Sequence, residues 1–290
     1  MRQVLATDPP FGAYALSGVR AALRAVGCSL PEGFGARRVA SFLRKLTILG
    51  REDPFDVMLF QGQSVRLYPR DNLCEKRVFA APQLWDSGER AALDRAIAAA
   101  PADRPFVFID AGANVGLYSL FARSAAARHG RAFKGLAIEP DPETARRLRF
   151  NLDASGANEI TVAETALAAE EGTARLATHG DNRGETAIAA GSGGEDGEGA
   201  AVRAAPLAKV MEDARIDKAD ALKIDIEGVE FEVLNAYFKA IAPGDRPATI
   251  IMETPRRGDG NEAALKLCRE NGYEIAERTR MNSVLAKRDF

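Results

Sequence analysis

Three carboxylates in this chain, Asp110, Glu139 and Asp225, each close a short apolar run and each stand just before a helical pattern. In open α/β sheets, ligands gather at the carboxyl ends of strands, so acids in those places can do chemistry. The first lies in Phe106-Val-Phe-Ile-Asp110-Ala-Gly112-Ala113-Asn114-Val-Gly116, which reads as strand, acid, glycine turn and helix start. Its glycines let the backbone come close to a ligand, and a helix start offers free N–H groups. A dinucleotide fingerprint has the order G-x-G-x-x-G, with the pyrophosphate on the helix N-terminus. Here the order is D-x-G-x-x-x-G, and a carboxylate stands where the turn begins. That charge repels a pyrophosphate but attracts an ammonium group or accepts from a hydroxyl. S-adenosylmethionine carries an ammonium and no phosphate, so the charge logic favours it as the ligand.

Glu139 follows Asp110 by 29 positions and ends the run Gly135–Ile138. An acid at the second strand's end is placed to accept from both hydroxyls of a ribose. The third cluster is Leu222-Lys223-Ile-Asp225-Ile226-Glu227-Gly228-Val-Glu230-Phe231. Strand alternation to Ile226 puts Lys223, Asp225 and Glu227 on one face, and Leu222, Ile224 and Ile226 on the other. These acids could hold an ammonium, orient an acceptor, take a proton, or bind a divalent metal with Glu253. Acids near a helix start also favour the helix dipole without any chemistry. His179 adjoins a glycine-rich stretch from which it could swing over an acceptor, although exposure to solvent is its simpler reading. His129, beside Gly130, reads as a helix-dipole partner. No metal-ligand set is assigned.

At these residues the sequence resembles the FkbM-type methyltransferases, which depend on S-adenosylmethionine. The resemblance is carried by DAGANVGLYS at 110–119, AIEPDP at 137–142 and LKIDIEGVEFEVL at 222–234, with weaker echoes at 164–172 and 282–289. It spans roughly residues 55–290. It implies a class I methyltransferase fold (Rossmann-like), with a mainly parallel seven-stranded sheet and one antiparallel strand near its edge. It also implies O-methyl transfer to a hydroxyl on a sugar, glycan or secondary metabolite. Asp110, Gly112, Ala113, Asn114 and Gly116 would then form the first cofactor loop, Glu139 would hold the ribose, and Ala166-Leu167 would lie by the adenine. Asp225 and Glu227 would face the methyl group and the acceptor. Methyl transfer from a sulfonium is an in-line displacement that needs alignment above all. A hydroxyl acceptor must also lose its proton, which makes Glu227 and Asp225 the candidate bases.

The elements that must position these residues begin near position 105. From Phe106 onward, strand-like runs at 106–109, 135–138, 159–164, 221–226 and 248–253 alternate with helical patterns, the signature of an α/β layered sheet. The helix after Asp141 opens on Asp141-Pro142-Glu143, and that over Asn261–Glu270 stops at Asn271-Gly272. Tyr273–Ala276 and Ser283–Lys287 are expected to close the sheet as an antiparallel pair. Between 180 and 199 the chain has seven glycines and almost no large apolar residue, the composition of a mobile loop.

Residues 1–54 read as a helical extension, and 55–105 as a hairpin turning at Gln61-Gly62 followed by a helix over Asp86–Ala100, with Ser87 or Asp86 as its cap. The basic amphipathic stretch around Arg37, Arg38, Arg44 and Lys45 is expected to pack on its own domain, with peripheral membrane contact through 37–51 as the other reading. The apolar run Phe11–Leu30 is broken by Arg20 and Arg24 and is a poor membrane span.

The 290 residues are 46% hydrophobic and 28% charged, with a net charge of -2, an ordinary globular composition. Near-neutrality argues against coating nucleic acid, and the Asn-Pro-Pro-aromatic string of base-amine methyltransferases is missing. Three scattered cysteines suit a reducing cytoplasm. The rival readings are an NAD-dependent oxidoreductase on a similar sheet and a non-catalytic cofactor-binding protein.

Overall fold

The computed structural model describes residues 8–33, 35–178, 186–188, 200–226, 228–253, 261–279 and 281–288. The chain opens with two helices, α1 (Gly18–Cys28) and α2 (Ala36–Ile48), and a hairpin of β1 (Phe55–Leu59) and β2 (Gln63–Leu67). Two more helices follow, α3 (Leu73–Ala80) and α4 (Ser87–Ala99). In α2 the residues Ala40, Arg44, Thr47 and Ile48 recur at helical spacing and face inward, while Val39, Phe42 and Leu46 stay exposed. The helix packs on α1 and α3, as a basic amphipathic helix within its own domain. The hairpin pairs Phe55 with Leu67 and turns where Phe60, Gln61 and Gly62 all take positive φ. At α4 the start falls where expected, but the cap does not: Asp86 has φ 41 and its side chain makes no cap bond. Its carboxylate accepts instead from the Tyr118 hydroxyl at 3.0 Å.

The core alternates β3 (Phe106–Ala111), α5 (Leu117–Arg128), β4 (Phe133–Ile138), α6 (Pro142–Ala154) and β5 (Ile160–Ala163). Next come β6 (Ala166–Leu167), β7 (Gly172–Thr178), β8 (Thr186–Ile188) and β9 (Ala200–Ala205), then α7 (Leu207–Asp213). The chain continues through β10 (Ala221–Ile224), α8 (Glu230–Ala240), β11 (Thr249–Glu253), α9 (Asn261–Glu270), β12 (Tyr273–Arg278) and β13 (Asn282–Lys287). Seven strands form one sheet in the order β12-β13-β11-β10-β3-β4-β5. Every pair is parallel except those of β13, which runs antiparallel to both β11 and β12. This is the expected seven-stranded, mainly parallel sheet, a class I methyltransferase architecture.

The sheet is buried on both faces, which is why its strands read as continuous apolar runs. Phe106 and Phe108 of β3 pack with Leu93, Ile97 and Leu120 from α4 and α5. Their neighbours Ile109 and Ala111 pack on the opposite face with Val210 of α7 and Val233 and Tyr237 of α8. Each fully enclosed phenylalanine contributes roughly 1.5–3 kcal/mol of burial. The first cluster also takes in Ile48, Phe55 and Leu67, so hairpin and sheet share one core. Asp141 caps α6 through the Thr144 N–H and hydroxyl at 2.8 and 2.7 Å, with Pro142 in the first turn, as the sequence predicts.

Two sequence expectations need correction. The strand expected to reach Ile226 stops at Ile224, because the Glu230 carboxylate accepts from the N–H groups of Ile226 and Gly228, both at 3.0 Å, and turns the chain into α8. Within the stretch 180–199, Thr186–Ile188 form β8 on Leu176–Thr178. The rest of that stretch lies outside the described residues. The second sheet, ordered β6-β9-β7-β8, had no counterpart in the sequence reading. Its strands are rich in Ala, Thr and Gly, as in GTARLAT, which leaves little apolar alternation to read.

Candidate active site

A cavity of about 380 Å³ opens at the carboxyl ends of β3, β4 and β10. Asp110, Glu139 and Asp225 all line it, so the three strand-end acids are brought together as expected. Strand register does this: Lys223 lies beside Asp110, and Ala137 lies on the other side of it. Past the strand ends, the Asp225 N–H donates to the Ala111 carbonyl and the Glu139 N–H to the Ala163 carbonyl, both at 3.0 Å.

The turn after β3 has little to offer a phosphate. The N–H groups of Gly112 and Ala113 both donate to the Ile138 carbonyl, at 3.0 and 2.9 Å. The Asn114 N–H donates to Glu139 Oε2 at 2.9 Å, the Val115 N–H to Asn114 Oδ1 at 2.9 Å, and the Gly116 N–H to the Ala113 carbonyl at 2.9 Å. With these five donors consumed internally, the turn itself offers no N–H group to a pyrophosphate. The glycines serve packing as well. Gly112 has φ +79, and a Cβ there would stand 1.9 Å from the Asp225 carbonyl oxygen. A Cβ on Gly116 would stand 2.5 Å from Leu148 Cδ1. Gly112, Ala113 and Asn114 line the cavity; Gly116 does not.

Asp110 is buried. Its Oδ2 accepts from the Ser119 hydroxyl and N–H at 2.7 and 3.0 Å, while Oδ1 has no partner among the described residues. Burial raises its pKa, against the opposing pull of Lys223 and the Ser119 bonds. Lys223 is itself buried, with Nζ 3.0 Å from Asp225 Oδ2 and 4.9 Å from the Tyr118 ring centre. Burial alone would push that ammonium down, but the Asp225 and Asp110 carboxylates outweigh it and hold its pKa above the ordinary lysine value. The lysine therefore neutralises two acids at once. Sequence alternation placed it beside Asp225 but gave it no role.

Glu139 accepts from the Asn114 and Asp141 N–H groups, and burial lifts its pKa to about 7 against those bonds. Ala166 and Leu167 line the same cavity, as does Glu253. Asn72, Trp85, Asp86 and Tyr118 from the N-terminal half and α5 also stand in its wall, with Met281 and Asn282 from the far end of the chain. None of these was singled out as a ligand contact from the sequence. Asn72, Trp85 and Asp86 lie far from the three main motifs along the chain, and only packing joins them to the site. Trp85 is itself buried.

Glu227 and His179 fall outside the described residues. His129 ends α5 and lies 3.2 Å from Asp94. Among the described residues no group of three or more His, Cys, Asp or Glu side chains converges as a metal site. Nor is any described helix long and apolar enough to cross a membrane.

The arrangement suits a ligand rich in hydrogen-bond donors and positive charge. A buried carboxylate oxygen without a partner, a second carboxylate above a strand end and a third at the cavity wall are acceptors. Of donors for a phosphate, the turn keeps none of the five N–H groups from Gly112 to Gly116.

Residues 110–275 match the family model described as the methyltransferase FkbM domain. Among solved structures, the chain is similar to a methyltransferase FkbM from Methylobacillus flagellatus KT, with 16% identity and a TM-score of 0.44, covering 92% of this chain and 58% of that one. It is also similar to a precorrin-6y C5,15-methyltransferase from Geobacter metallireducens GS-15, with 16% identity, a TM-score of 0.42, and 69% and 87% of the two chains covered. A third is a SAM-dependent methyltransferase from Agrobacterium tumefaciens, at 12% identity and a TM-score of 0.43, over 81% of this chain and 69% of that one. No curated protein matches the sequence.

Proposed function

This chain belongs to the methyltransferase FkbM family, and on that premise we propose that it methylates a hydroxyl oxygen of a sugar, glycan or secondary metabolite, with S-adenosylmethionine as methyl donor. The observation that carries this reading is the set of acids at three neighbouring strand ends around one cavity, beside a turn whose N–H groups are spent internally. The donor molecule brings an ammonium, a ribose diol and an adenine amine, and no phosphate. That inventory matches the Glu139 carboxylate and Asp110 Oδ1, which has no partner among the described residues.

In this reading Asp110, with the turn Gly112–Asn114 and the packing glycine Gly116, forms the cofactor loop. Glu139 takes the ribose hydroxyls, and Ala166 and Leu167 lie by the adenine. When bound, the cofactor supplies an electrophilic methyl group. The chain's own work is to align an acceptor hydroxyl and to take its proton. Asp225, whose Oδ2 is held by Lys223, and Glu227 are the carboxylates assigned to that step. Fixing two reactants in line supplies much of the barrier reduction. We read 106–290 as the methyltransferase domain, with 1–54 and 55–105 covering its acceptor side. A reducing cytoplasm suits the free thiols of Cys28, Cys74 and Cys268.

The test is calorimetric titration of S-adenosylhomocysteine into the full chain, followed by transfer of labelled methyl to a panel of hydroxyl, amine and carbon acceptors. Asp110→Ala and Glu139→Ala each weaken binding at least tenfold in this reading. Unchanged affinity in both would sink the cofactor assignment. Transfer to amines or carbon but to no hydroxyl would overturn O-methylation. Cofactor binding with no transfer to any acceptor would favour a non-catalytic role.

A further inference from the structure

A second cavity of about 510 Å³ adjoins the first, between α2, α3, the start of α4 and the β12–β13 turn. Its wall carries five cations: Arg37 and Arg44 from α2, Lys76 and Arg77 from α3, and Arg278 from β12. No side chain among these five makes a hydrogen bond or ion pair with a described residue. Arg44 is the sharpest case. It is 8% exposed, has no hydrogen-bond or ion-pair partner among the described residues, and its pKa is lowered first by burial and then by the like charge of Arg70. A guanidinium stays protonated in proteins, so Arg44 presents a positive charge to the cavity from a side chain that is otherwise packed in the wall.

The acids in the same wall are already engaged. Glu89 Oε1 accepts from the Thr279 hydroxyl at 2.5 Å and the Asn282 amide at 2.8 Å. Asp86 accepts from the Tyr118 hydroxyl, and Glu277 from Arg95 at 3.0 Å. The wall thus carries five cations against three acids, of which Glu277 is paired with Arg95 and Asp86 faces Arg77. Both cavities share Leu73, Arg77, Trp85, Asp86 and Met281, so a molecule anchored in the second extends directly into the first.

We propose that the second cavity is a subsite for a phosphate or diphosphate group on the acceptor, with Arg44 as its buried anchor and the other cations around it. The acceptor is then a phosphorylated or nucleotide-linked hydroxyl compound, such as a sugar phosphate ester. Guanidinium groups grip phosphate oxygens in pairs, and several together match a multiply charged group better than a single carboxylate. Calling the bound molecule the acceptor rests on the methyl-transfer reading; the anion site itself does not.

The experiment titrates inorganic pyrophosphate into the full chain, read by calorimetry and by the fluorescence of Trp85, the one tryptophan in the sequence and a wall residue of both cavities. Saturable binding is expected, weakening as salt is raised. Arg44→Gln should lower affinity at least tenfold and the exposed Arg278→Gln at least threefold, with S-adenosylhomocysteine affinity unchanged in both. Citrate, the carboxylate counterpart, should bind at least tenfold more weakly than pyrophosphate. Absence of saturable pyrophosphate binding, or binding that neither variant alters, would overturn the subsite. Citrate binding as tight as pyrophosphate would overturn its assignment to phosphate. Loss of S-adenosylhomocysteine binding in the unmodified chain would instead strike the methyl-transfer reading and leave the pyrophosphate result to decide the subsite alone.

Discussion

The Asn72 side-chain amide donates to Asn114 Oδ1 at 2.9 Å, tying the cap of α3 to the turn that follows β3. Asn72 Oδ1 meanwhile accepts from the Glu75 N–H at 3.1 Å and caps that helix. Asn114 has φ 50, a left-handed conformation that costs a non-glycine residue energy, and the brace helps to hold it there. Asn72→Asp keeps the cap acceptor and loses the amide donor. It should weaken S-adenosylhomocysteine binding about threefold to tenfold while costing about 1 kcal/mol of stability. Asn72→Ala loses cap and brace together and should cost about 1–3 kcal/mol in urea unfolding. Equal cofactor affinity in all three proteins would show that the turn keeps its shape unaided.

Gly112 tests the contact between two strand ends. An added Cβ would meet the Asp225 carbonyl oxygen at 1.9 Å in a backbone with φ +79. Gly112→Ala should therefore cost about 3–5 kcal/mol, overpacking and left-handed strain together. Gly228→Ala is the control, since its φ is +102 but a Cβ there meets nothing within 4 Å. It should cost about 1–2 kcal/mol from backbone strain alone. A smaller loss for Gly112→Ala than for the control would refute the close approach.

Glu139 predicts a pH dependence of known sign. Burial raises it from 4.5 to about 7, so the folded protein holds more protons than the unfolded chain between those values. Stability of the ligand-free protein should fall as pH rises through that window. Glu75, which burial lifts to about 8, acts with the same sign, so Glu139→Gln should flatten the slope only in part. Cofactor affinity runs the other way, because an ionised Glu139 is the better acceptor for ribose hydroxyls. Affinity should drop by up to about tenfold per pH unit below 7. A flat affinity profile from pH 5 to 8 would remove Glu139 from the ribose site.

Lys223 predicts a charge imbalance. Its raised pKa means that its stabilising contribution is present below the ordinary lysine value and is lost only as pH climbs through the folded value above it. Lys223→Met leaves Asp110 and Asp225 facing each other without a counter-charge. At pH 7 the loss should be about 3–5 kcal/mol. It should shrink in acid, where Asp110, already raised by burial, takes up a proton. Denaturation midpoints followed from pH 7 down through the ordinary carboxylate range check this, and a loss that stays constant throughout would show that charge is not the cause.

The sheet and the three acids were legible because their signals are local. Phe106–Ala111 is a buried run ending in a glycine turn, and Asp141-Pro142-Glu143 is a helix start in three residues. The same locality hid the rest. Asn72 reaches Asn114 across 42 positions, and Asn282 reaches Glu89 across 193. No spacing rule covers such distances. Gly112 looked like a residue that admits a ligand, and its closest neighbour proves to be the backbone of Asp225. Asp86 looked like a cap and is the partner of Tyr118. The second sheet escaped because its pairing runs through backbone groups beneath small side chains.

The place of β13 bears on how the molecule is made. It lies between β11 and β12, yet it follows both along the chain. A nascent chain emerging from the ribosome thus shows β11 with an open edge until residues 282–287 arrive to fill the gap. Asn282, the first residue of that strand, is also part of the cavity wall and the partner of Glu89. The wall of the cavity is therefore incomplete until β13 has been synthesised and has paired between its two neighbours.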